Sequence, residues 1–84
     1  MAQTQPYIET TGIYPYSIRR TDWVVNNINF TFCLLHTPDP RYTAAILNGF
    51  RIPCSISDNS VLYGIVPRVI DGNMDEVTVI YWGT

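Results

Sequence analysis

The chain has 84 residues, a formal net charge of −2 and no lysine, so that all five of its cationic residues are arginine. This length leaves room for one small domain, and the charge excludes the basic stripe or patch by which nucleic-acid-binding proteins hold phosphates. No stretch approaches the roughly 18 consecutive apolar residues of a membrane-spanning helix, so we expect no membrane partner.

Residues 1–21 differ in composition from the rest of the chain. They contain Pro6, Gly12 and Pro15 and show neither a helical period nor a sustained strand period. The segment nevertheless carries several large apolar and aromatic side chains, which a disordered tail would lack. We expect an extended N-terminal arm that docks on another surface, followed by a small β domain at residues 22–84. The alternative is a terminal segment that folds back over its own domain.

A period of two residues begins after Trp23. Every second residue but one from Val24 to Leu34 is apolar, and this alternation predicts one long strand with a buried face and a wetter face. Pro38 and Pro40 follow, and two prolines in three positions cannot continue a central strand. We therefore expect the strand to end before these prolines.

Asn48-Gly49 lies between apolar flanks. This dipeptide favours a two-residue hairpin with a type I′ turn, because both central residues of such a turn need positive φ. Counting outward from the turn predicts three facing pairs: Leu47 with Phe50, Ala45 with Ile52, and Thr43 with Cys54. Pro53 has no N–H, so we expect the second strand to be an edge strand or to be interrupted there.

The same segment has a competing helical interpretation over residues 40–47. Asp39 would be the N-cap, Pro40 the first helical residue and Gly49 the residue just past the end. Two alanines favour this helix. A helix of about eight residues is marginal in water, so the hairpin is the interpretation that we favour.

Two further strands are expected, at residues 61–70 and 77–82. The turn at residues 57–60 precedes the first of them, and Asp71-Gly72-Asn73 opens a longer turn between the two. The count is then five strands in sequential hairpins. The sequence thus predicts an all-β fold, a small five-stranded antiparallel meander that forms a barrel or a sandwich and carries an extended N-terminal arm.

No constellation of residues indicates catalysis or a cofactor. His36 is the single histidine, and Cys33 lies an odd number of residues away, which on a strand places the two side chains on opposite faces. No spacing resembles a zinc site, and the acidic residues at 71–76 are typical of a polar turn. We expect a non-enzymatic protein without a metal. Cys33 and Cys54 are interpreted as buried thiols, and their pairing is left open.

The amino-acid usage indicates a surface that partners cover. Interfaces are enriched in arginine, tyrosine and tryptophan and depleted in lysine, and this lysine-free chain has eleven aromatic residues. The residues that we expect at an interface are Tyr7, Ile13, Tyr14, Tyr16, Arg19, Arg20, Arg51, Arg68 and Trp82.

In size, in β content and in its N-terminal arm, the chain resembles the small accessory proteins of tailed-phage virions that cement or decorate capsids. The resemblance covers the whole chain and rests on general layout, not on a sequence motif. It implies a structural subunit of the virion, a homo-oligomer such as a trimer, that bridges neighbouring coat protein subunits. The alternative is a small β-sandwich binding module for a carbohydrate or a host protein, which we would expect in the cytoplasm.

Overall fold

A computed structural model describes residues 3–11 and 17–84. These residues form ten strands and no helix, so the prediction of an all-β fold is confirmed. The strands are β1 (Gln5–Thr10), β2 (Ile18–Arg19), β3 (Thr31–Cys33), β4 (Pro38–Leu47), β5 (Phe50–Ile52), β6 (Cys54–Ser57), β7 (Ser60–Tyr63), β8 (Val69–Ile70), β9 (Asn73–Met74) and β10 (Val77–Gly83). Over the described ranges, no helix is long and apolar enough to cross a membrane.

The larger sheet has five strands in the order β2-β1-β10-β4-β5. β1 and β10 pair antiparallel, from Gln5 opposite Gly83 to Thr10 opposite Thr78, whereas β1 and β2 pair in parallel. The first long strand therefore lies beside the last one. This order is not that of sequential hairpins, and the sheet ends at β2 and β5 without closing into a barrel. A second sheet has the order β3-β7-β6, and β8 pairs with β9.

The N-terminal segment belongs to the β domain over its described residues. β1 pairs with β10 along its whole length, and the side chains of Glu9 and Thr10 are buried. Over residues 3–11 and 17–21, this arrangement corresponds to the alternative of a segment that folds back over its own domain, and not to an extended arm that docks on another surface. The physical reason is that the backbone groups of β1 find hydrogen-bond partners on β10, which an isolated arm would have to find elsewhere.

The long strand predicted at residues 24–34 is wrong except for β3. The Asn26 side chain accepts hydrogen bonds from the backbone N–H of Ile28 at 3.0 Å and of Asn29 at 2.7 Å, and Asn27 has a φ of 68°. Asparagine side chains thus take the backbone groups that a strand ladder would use. Ile28, expected on the buried face, is 76% exposed.

The hairpin at Asn48-Gly49 is confirmed, and the helical interpretation is wrong. Asn48 and Gly49 have φ values of 53° and 86°, as a type I′ turn requires. Two of the three expected pairs form: Leu47 with Phe50 and Ala45 with Ile52. The third pair is absent because the chain leaves the sheet at Pro53, which confirms the expected interruption, and Cys54 instead pairs with Tyr63 in the second sheet.

The strand before the prolines ends at Cys33, as expected. Pro38 and Pro40 themselves lie at the start of β4, which was not expected. Pro38 lies at the first position of the strand, opposite Gly83, where a missing N–H is tolerated. The strand predicted at 61–70 is also divided, because β7 ends at Tyr63 and the next residue, Gly64, donates its N–H to the Pro53 carbonyl at 2.8 Å. The strand predicted at 77–82 is confirmed as β10.

One hydrophobic core joins the inner face of the five-stranded sheet to the second sheet and to the loop before β3. Within β10, Val77, Val79 and Tyr81 alternate toward this core and are fully buried. Tyr63 crosses the core, and its hydroxyl group reaches the carbonyl oxygens of Ile46 and Thr78. Burial raises the pKa of the Tyr63 hydroxyl, so this residue stays a neutral hydrogen-bond donor that ties the two sheets together.

Candidate docking surface

On the face that points away from the core, the five-stranded sheet is apolar except at one end, where Thr10 lies opposite Thr78 with both side chains buried and their hydroxyl oxygens 2.7 Å apart. Because Val79 and Tyr81 point inward, Ile80 and Trp82 point outward, and the register places Ile8 opposite Ile80 and Pro6 opposite Trp82. On the other side of β10, β4 adds Ala44 and Ile46 with the same parity. We call the set formed by Pro6, Ile8, Ala44, Ile46, Ile80 and Trp82 the outer face.

The large apolar side chains of the outer face are unusually exposed to solvent. Ile80 is 44% exposed and Trp82 is 46% exposed, and both lie in the central strand of the sheet. The second sheet provides an internal comparison, because its outward side chains include Thr31, Ser55 and Ser57, together with the partly buried Leu62 of its central strand. An antiparallel sheet with one solvated face normally alternates apolar and polar residues, as β6 does. The outer face therefore exposes large apolar side chains at the centre of the sheet.

Arginines flank the outer face at both edges of the sheet. Arg19 of β2 lies opposite Thr10, and Arg51 of β5 lies opposite Ile46; both arginines are exposed. Within the five strands as described, the carboxylates are Glu9, which is buried on the inner side, and Asp39 at the start of β4. The rim of the outer face is therefore positive although the whole chain is acidic.

A groove of about 460 Å³ lies at one end of the outer face. Thr4, Asp39, Arg41, Tyr42 and Trp82 line it. The groove exists because the register between β4 and β10 shifts between Tyr81 and Gly83, so that β4 bulges at this point. Bulges of this kind re-aim side chains at the margins of a sheet, and here the bulge brings Arg41 and Tyr42 beside Trp82.

Hydrogen bonds of Asp39 hold the bulge. Its carboxylate accepts bonds from the Arg41 backbone N–H at 3.0 Å and from the Arg41 guanidinium at 3.2 and 3.0 Å, and the Thr43 hydroxyl donates to its carbonyl oxygen at 2.8 Å. The bonds from Arg41 hold the pKa of the Asp39 carboxyl below its ordinary value. The same pairing raises the pKa of Arg41, so both groups stay charged at neutral pH.

The exposed groups of the groove are aromatic rings and hydrogen-bond donors. The Arg41 guanidinium lies 5.4 Å from the centroid of the Tyr42 ring and covers one of its faces, and Tyr42 is 57% exposed. Within the described part of the chain, neither the Tyr42 hydroxyl nor the Trp82 indole N–H has a hydrogen-bond partner. The groove can therefore stack against a ligand and donate hydrogen bonds to it.

Arg20, one of the expected interface residues, is instead engaged within the domain. Its Nη1 lies 2.7 Å from Oε1 of Glu9, its Nε donates to Asp22 at 2.7 Å, and its side chain is 10% exposed. The hydrogen bond to Asp22 is the largest cause of its raised pKa. Arg20 follows Arg19, and successive residues of an extended chain point to opposite faces, so Arg19 points outward while Arg20 points toward Glu9.

Two further expected residues, Tyr7 and Arg68, lie away from the outer face. Tyr7 is half-buried and stacks on His36, with ring centroids 3.8 Å apart and planes 8° from parallel, and Arg68 is exposed beside the β8–β9 hairpin. Ile13, Tyr14 and Tyr16 lie outside the described residues. The structure thus brings Arg19, Arg51 and Trp82 to one face and leaves Tyr7, Arg20 and Arg68 apart from it.

The sequence reasoning missed the isoleucines of the outer face. Ile8, Ile46 and Ile80 were not among the expected interface residues. The signal that could have identified Ile80 is the run from Val77 to Trp82, which is apolar at nearly every position. Such a run is typical of a strand that is covered on both faces.

Neither thiol pairs with the other. Cys33 and Cys54 are both free, and Cys33 is exposed, which corrects the expectation that it is buried; its Sγ lies 3.4 Å from the Ser60 hydroxyl. Among the residues that the structure describes, no three histidine, cysteine, aspartate or glutamate side chains are grouped so that they could hold a metal ion.

Comparisons of the chain with protein-family models, with curated proteins and with solved structures found no match.

Proposed function

We propose that this chain is a non-enzymatic structural subunit that docks onto protein partners through the outer face. The observation that carries the proposal is the contrast between the two sheets: the outward side chains of the second sheet are mostly polar, with Leu62 as the apolar exception, whereas those of the larger sheet are apolar apart from the buried Thr10–Thr78 pair and are flanked by arginines. Contiguous exposed apolar surface on a small domain marks an interaction site.

The composition of the outer face fits a protein interface. Its centre is aliphatic, with Ile8 opposite Ile80, and its margins carry Trp82, Arg19 and Arg51. Tryptophan and arginine are the residues that most often dominate binding energy at interfaces, and a charged rim around an apolar centre is the usual arrangement. We expect the contacts to bury more than about 1,000 Å² in total, as a specific interface requires.

The assembly that we propose is a virion. The support is the resemblance in size and β content to the small proteins that cement or decorate phage capsids, together with the covered surface that such a role needs. On this proposal the outer face contacts coat protein subunits and further copies of the chain.

The experiment measures the oligomeric state of the isolated protein by size-exclusion chromatography with light scattering, over a range of concentrations. We expect self-association that Ile80→Asp abolishes, because the substitution places a charge at the centre of the outer face. Ser55→Asp, on the outward side of the second sheet, is the matched control and should leave the association unchanged. A protein that stays monomeric at every concentration, with the same solubility as Ile80→Asp, would contradict the proposal.

The second candidate function is a monomeric binding module for a carbohydrate or a host protein. The groove between Trp82 and Tyr42 favours it, because exposed aromatic rings beside charged groups are suited to a ligand. The same light-scattering experiment separates the two candidates: a module stays monomeric and Trp82→Ala removes its ligand binding, whereas a structural subunit associates.

A further inference from the structure

We propose that the groove between Trp82 and Tyr42 binds a proline-rich segment of a protein partner in the polyproline II conformation, with an acidic residue of that segment beside Arg41. This inference deepens the proposed function and rests on it, since the segment would belong to a protein onto which the chain docks. It names the class of partner that the groove receives.

The first argument is that the walls of the groove are aromatic and held in place. Trp82 lies on β10, the central strand of the larger sheet, and Tyr42 lies on a bulge that the bonds of Asp39 and Thr43 close. A polyproline II helix is already extended and loses little conformational freedom when it binds. Aromatic-lined grooves recognise such segments. Both partners already have their bound shape, so little conformational entropy is lost on binding.

The second argument comes from the hydrogen-bonding groups. The Trp82 indole N–H can only donate, and the Tyr42 hydroxyl is exposed and, within the described residues, unpaired. The Asp39 carboxylate already accepts three bonds from Arg41. The groove thus offers aromatic rings and more donors than acceptors, since its acceptors are the hydroxyl oxygens of Thr4 and Tyr42 and the capacity that Asp39 has left. Proline has a carbonyl oxygen and no N–H, and the carbonyl groups of a polyproline II helix make no internal hydrogen bonds.

The same inventory argues against a sugar as the ligand. Sugar hydroxyl groups donate as well as accept, and a site that holds them needs acceptor atoms to receive their protons, because a buried donor left without a partner is costly. Asp39 is the one carboxylate that lines the groove, and Arg41 already donates three bonds to its two oxygens, so the acceptors left for a sugar are its remaining lone pair and the hydroxyl oxygens of Thr4 and Tyr42. A ligand that is rich in acceptors and poor in donors fits better.

The third argument is charge. In the Asp39–Arg41 pair the arginine side chain is 77% exposed and the aspartate side chain is 24% exposed. The cation is therefore the member that faces solvent. A carboxylate on the ligand can pair with the outward side of the Arg41 guanidinium, which is why we specify an acidic residue beside the prolines.

Isothermal titration calorimetry with synthetic peptides tests the inference. The probes are a capped decaproline peptide, the same peptide with an aspartate at each end, and a capped glycine–serine peptide of equal length as the negative control. We expect saturable binding of both proline peptides, tighter for the acidic one, and none for the glycine–serine peptide. Arg41→Ala should remove the difference between the two proline peptides.

Variants place the binding in the groove. Trp82→Ala and, as a second and less central change, Tyr42→Ala should each weaken binding by about tenfold or more, as loss of a central aromatic contact does. Phe50→Ala is the matched control, because Phe50 is 75% exposed and does not line the groove. Binding that survives both groove variants would overturn the inference.

Two other results would also overturn it. One is the absence of binding to either proline peptide at millimolar concentration. The other is binding of a saccharide probe, such as a cello- or galacto-oligosaccharide, that depends on Trp82 while the peptides do not bind. If the protein self-associates through Ile80 but binds neither proline peptide, only the inference about the groove is overturned, and the proposed function stands. If the protein binds the proline peptides but stays monomeric, the groove is a peptide-binding site and the structural-subunit proposal loses its support.

Discussion

The guanidinium of Arg20 and the carboxylate of Glu9 form an ion pair beneath the five-stranded sheet, with Nη1 and Oε1 2.7 Å apart and the Glu9 side chain fully buried. The Tyr81 hydroxyl also donates to Glu9, as does the backbone N–H of Leu35 at 3.2 Å. Burial raises the pKa of Tyr81, so this donor keeps its proton. Glu9 of β1 is thereby connected to three other segments of the domain.

Arg20→Ala should destabilise the fold by roughly 3 kcal/mol, because it leaves a buried carboxylate without its cation. Urea unfolding followed by circular dichroism measures the change. Arg19→Ala is the matched control and should stay within about 0.5 kcal/mol of the parent, as exposed substitutions do. If Arg20→Ala and Arg19→Ala lowered the free energy of unfolding equally, the ion pair between Arg20 and Glu9 would not contribute to stability. Because Arg20→Ala would unfold part of the population, a test of Arg19 at an interface should change Arg19 only and keep Arg20.

The amide protons of β1 should exchange slowly in the isolated protein. Six residues of β1 pair with β10, and amides within a paired strand are protected in proportion to the stability of the structure. Hydrogen exchange followed by nuclear magnetic resonance is the measurement, with the exposed loop at Asp71-Gly72 as the fast-exchanging reference. Exchange of β1 as fast as that loop would restore the arm that the sequence predicts.

Gly49→Val should cost about 1 kcal/mol or more, because Gly49 has a φ of 86° and β-branched residues are strained at positive φ. A Cβ at this position would meet no atom within 4 Å, so the cost comes from the backbone and not from a clash. Gly49→Asn is the control, since asparagine tolerates this conformation better. Thermal unfolding measures both variants. If Gly49→Val and Gly49→Asn had the same melting temperature, the cost would not come from backbone strain at positive φ.

Asp75 should make stability depend on pH in the acidic range. Its carboxylate accepts hydrogen bonds from the Asn48 side chain and the Arg68 backbone N–H, each at 2.9 Å, and these bonds, that of Asn48 above all, hold its pKa below the ordinary value. The contribution is present above the ordinary aspartate pKa of about 3.9 and is lost as the pH falls through the lowered value in the folded state.

The stability difference between the parent and Asp75→Ala, measured by urea unfolding, should therefore be largest near neutral pH and shrink as the pH falls toward 3. Ser55→Ala removes an exposed hydroxyl without a charge, and its effect should not vary with pH. A constant difference for Asp75→Ala across this range would show that the carboxylate is not held by these bonds.

Thiol reagents should distinguish the two cysteines. Cys33 is exposed and Cys54 is partly buried, so Cys33 should react with a maleimide or Ellman's reagent well before Cys54 in the native protein, while both react at once after unfolding. Mass spectrometry of the partly labelled protein identifies the site. Equal rates in the native state, or no free thiol at all, would contradict this arrangement.

The sequence by itself determined the features that depend on a few neighbouring residues. Asn48-Gly49 specifies its turn and the pairs next to it, because positive φ at two successive positions has few alternatives, and Pro53 interrupts the strand that follows because it lacks an N–H. The alternation before Leu34 misled the prediction for a related reason: Asn26 forms a local turn, and a side chain that binds its own backbone competes with a strand.

Only the tertiary structure decided where β1 lies. Its partner β10 is some 70 residues away along the chain, and no local pattern specifies so distant a pairing, which depends on the register and burial of the whole sheet. That placement in turn directs Arg20 inward to Glu9 and Arg19 outward. The outer face has the same origin: its residues come from β1, β4 and β10, and they become one apolar surface only when these strands lie side by side.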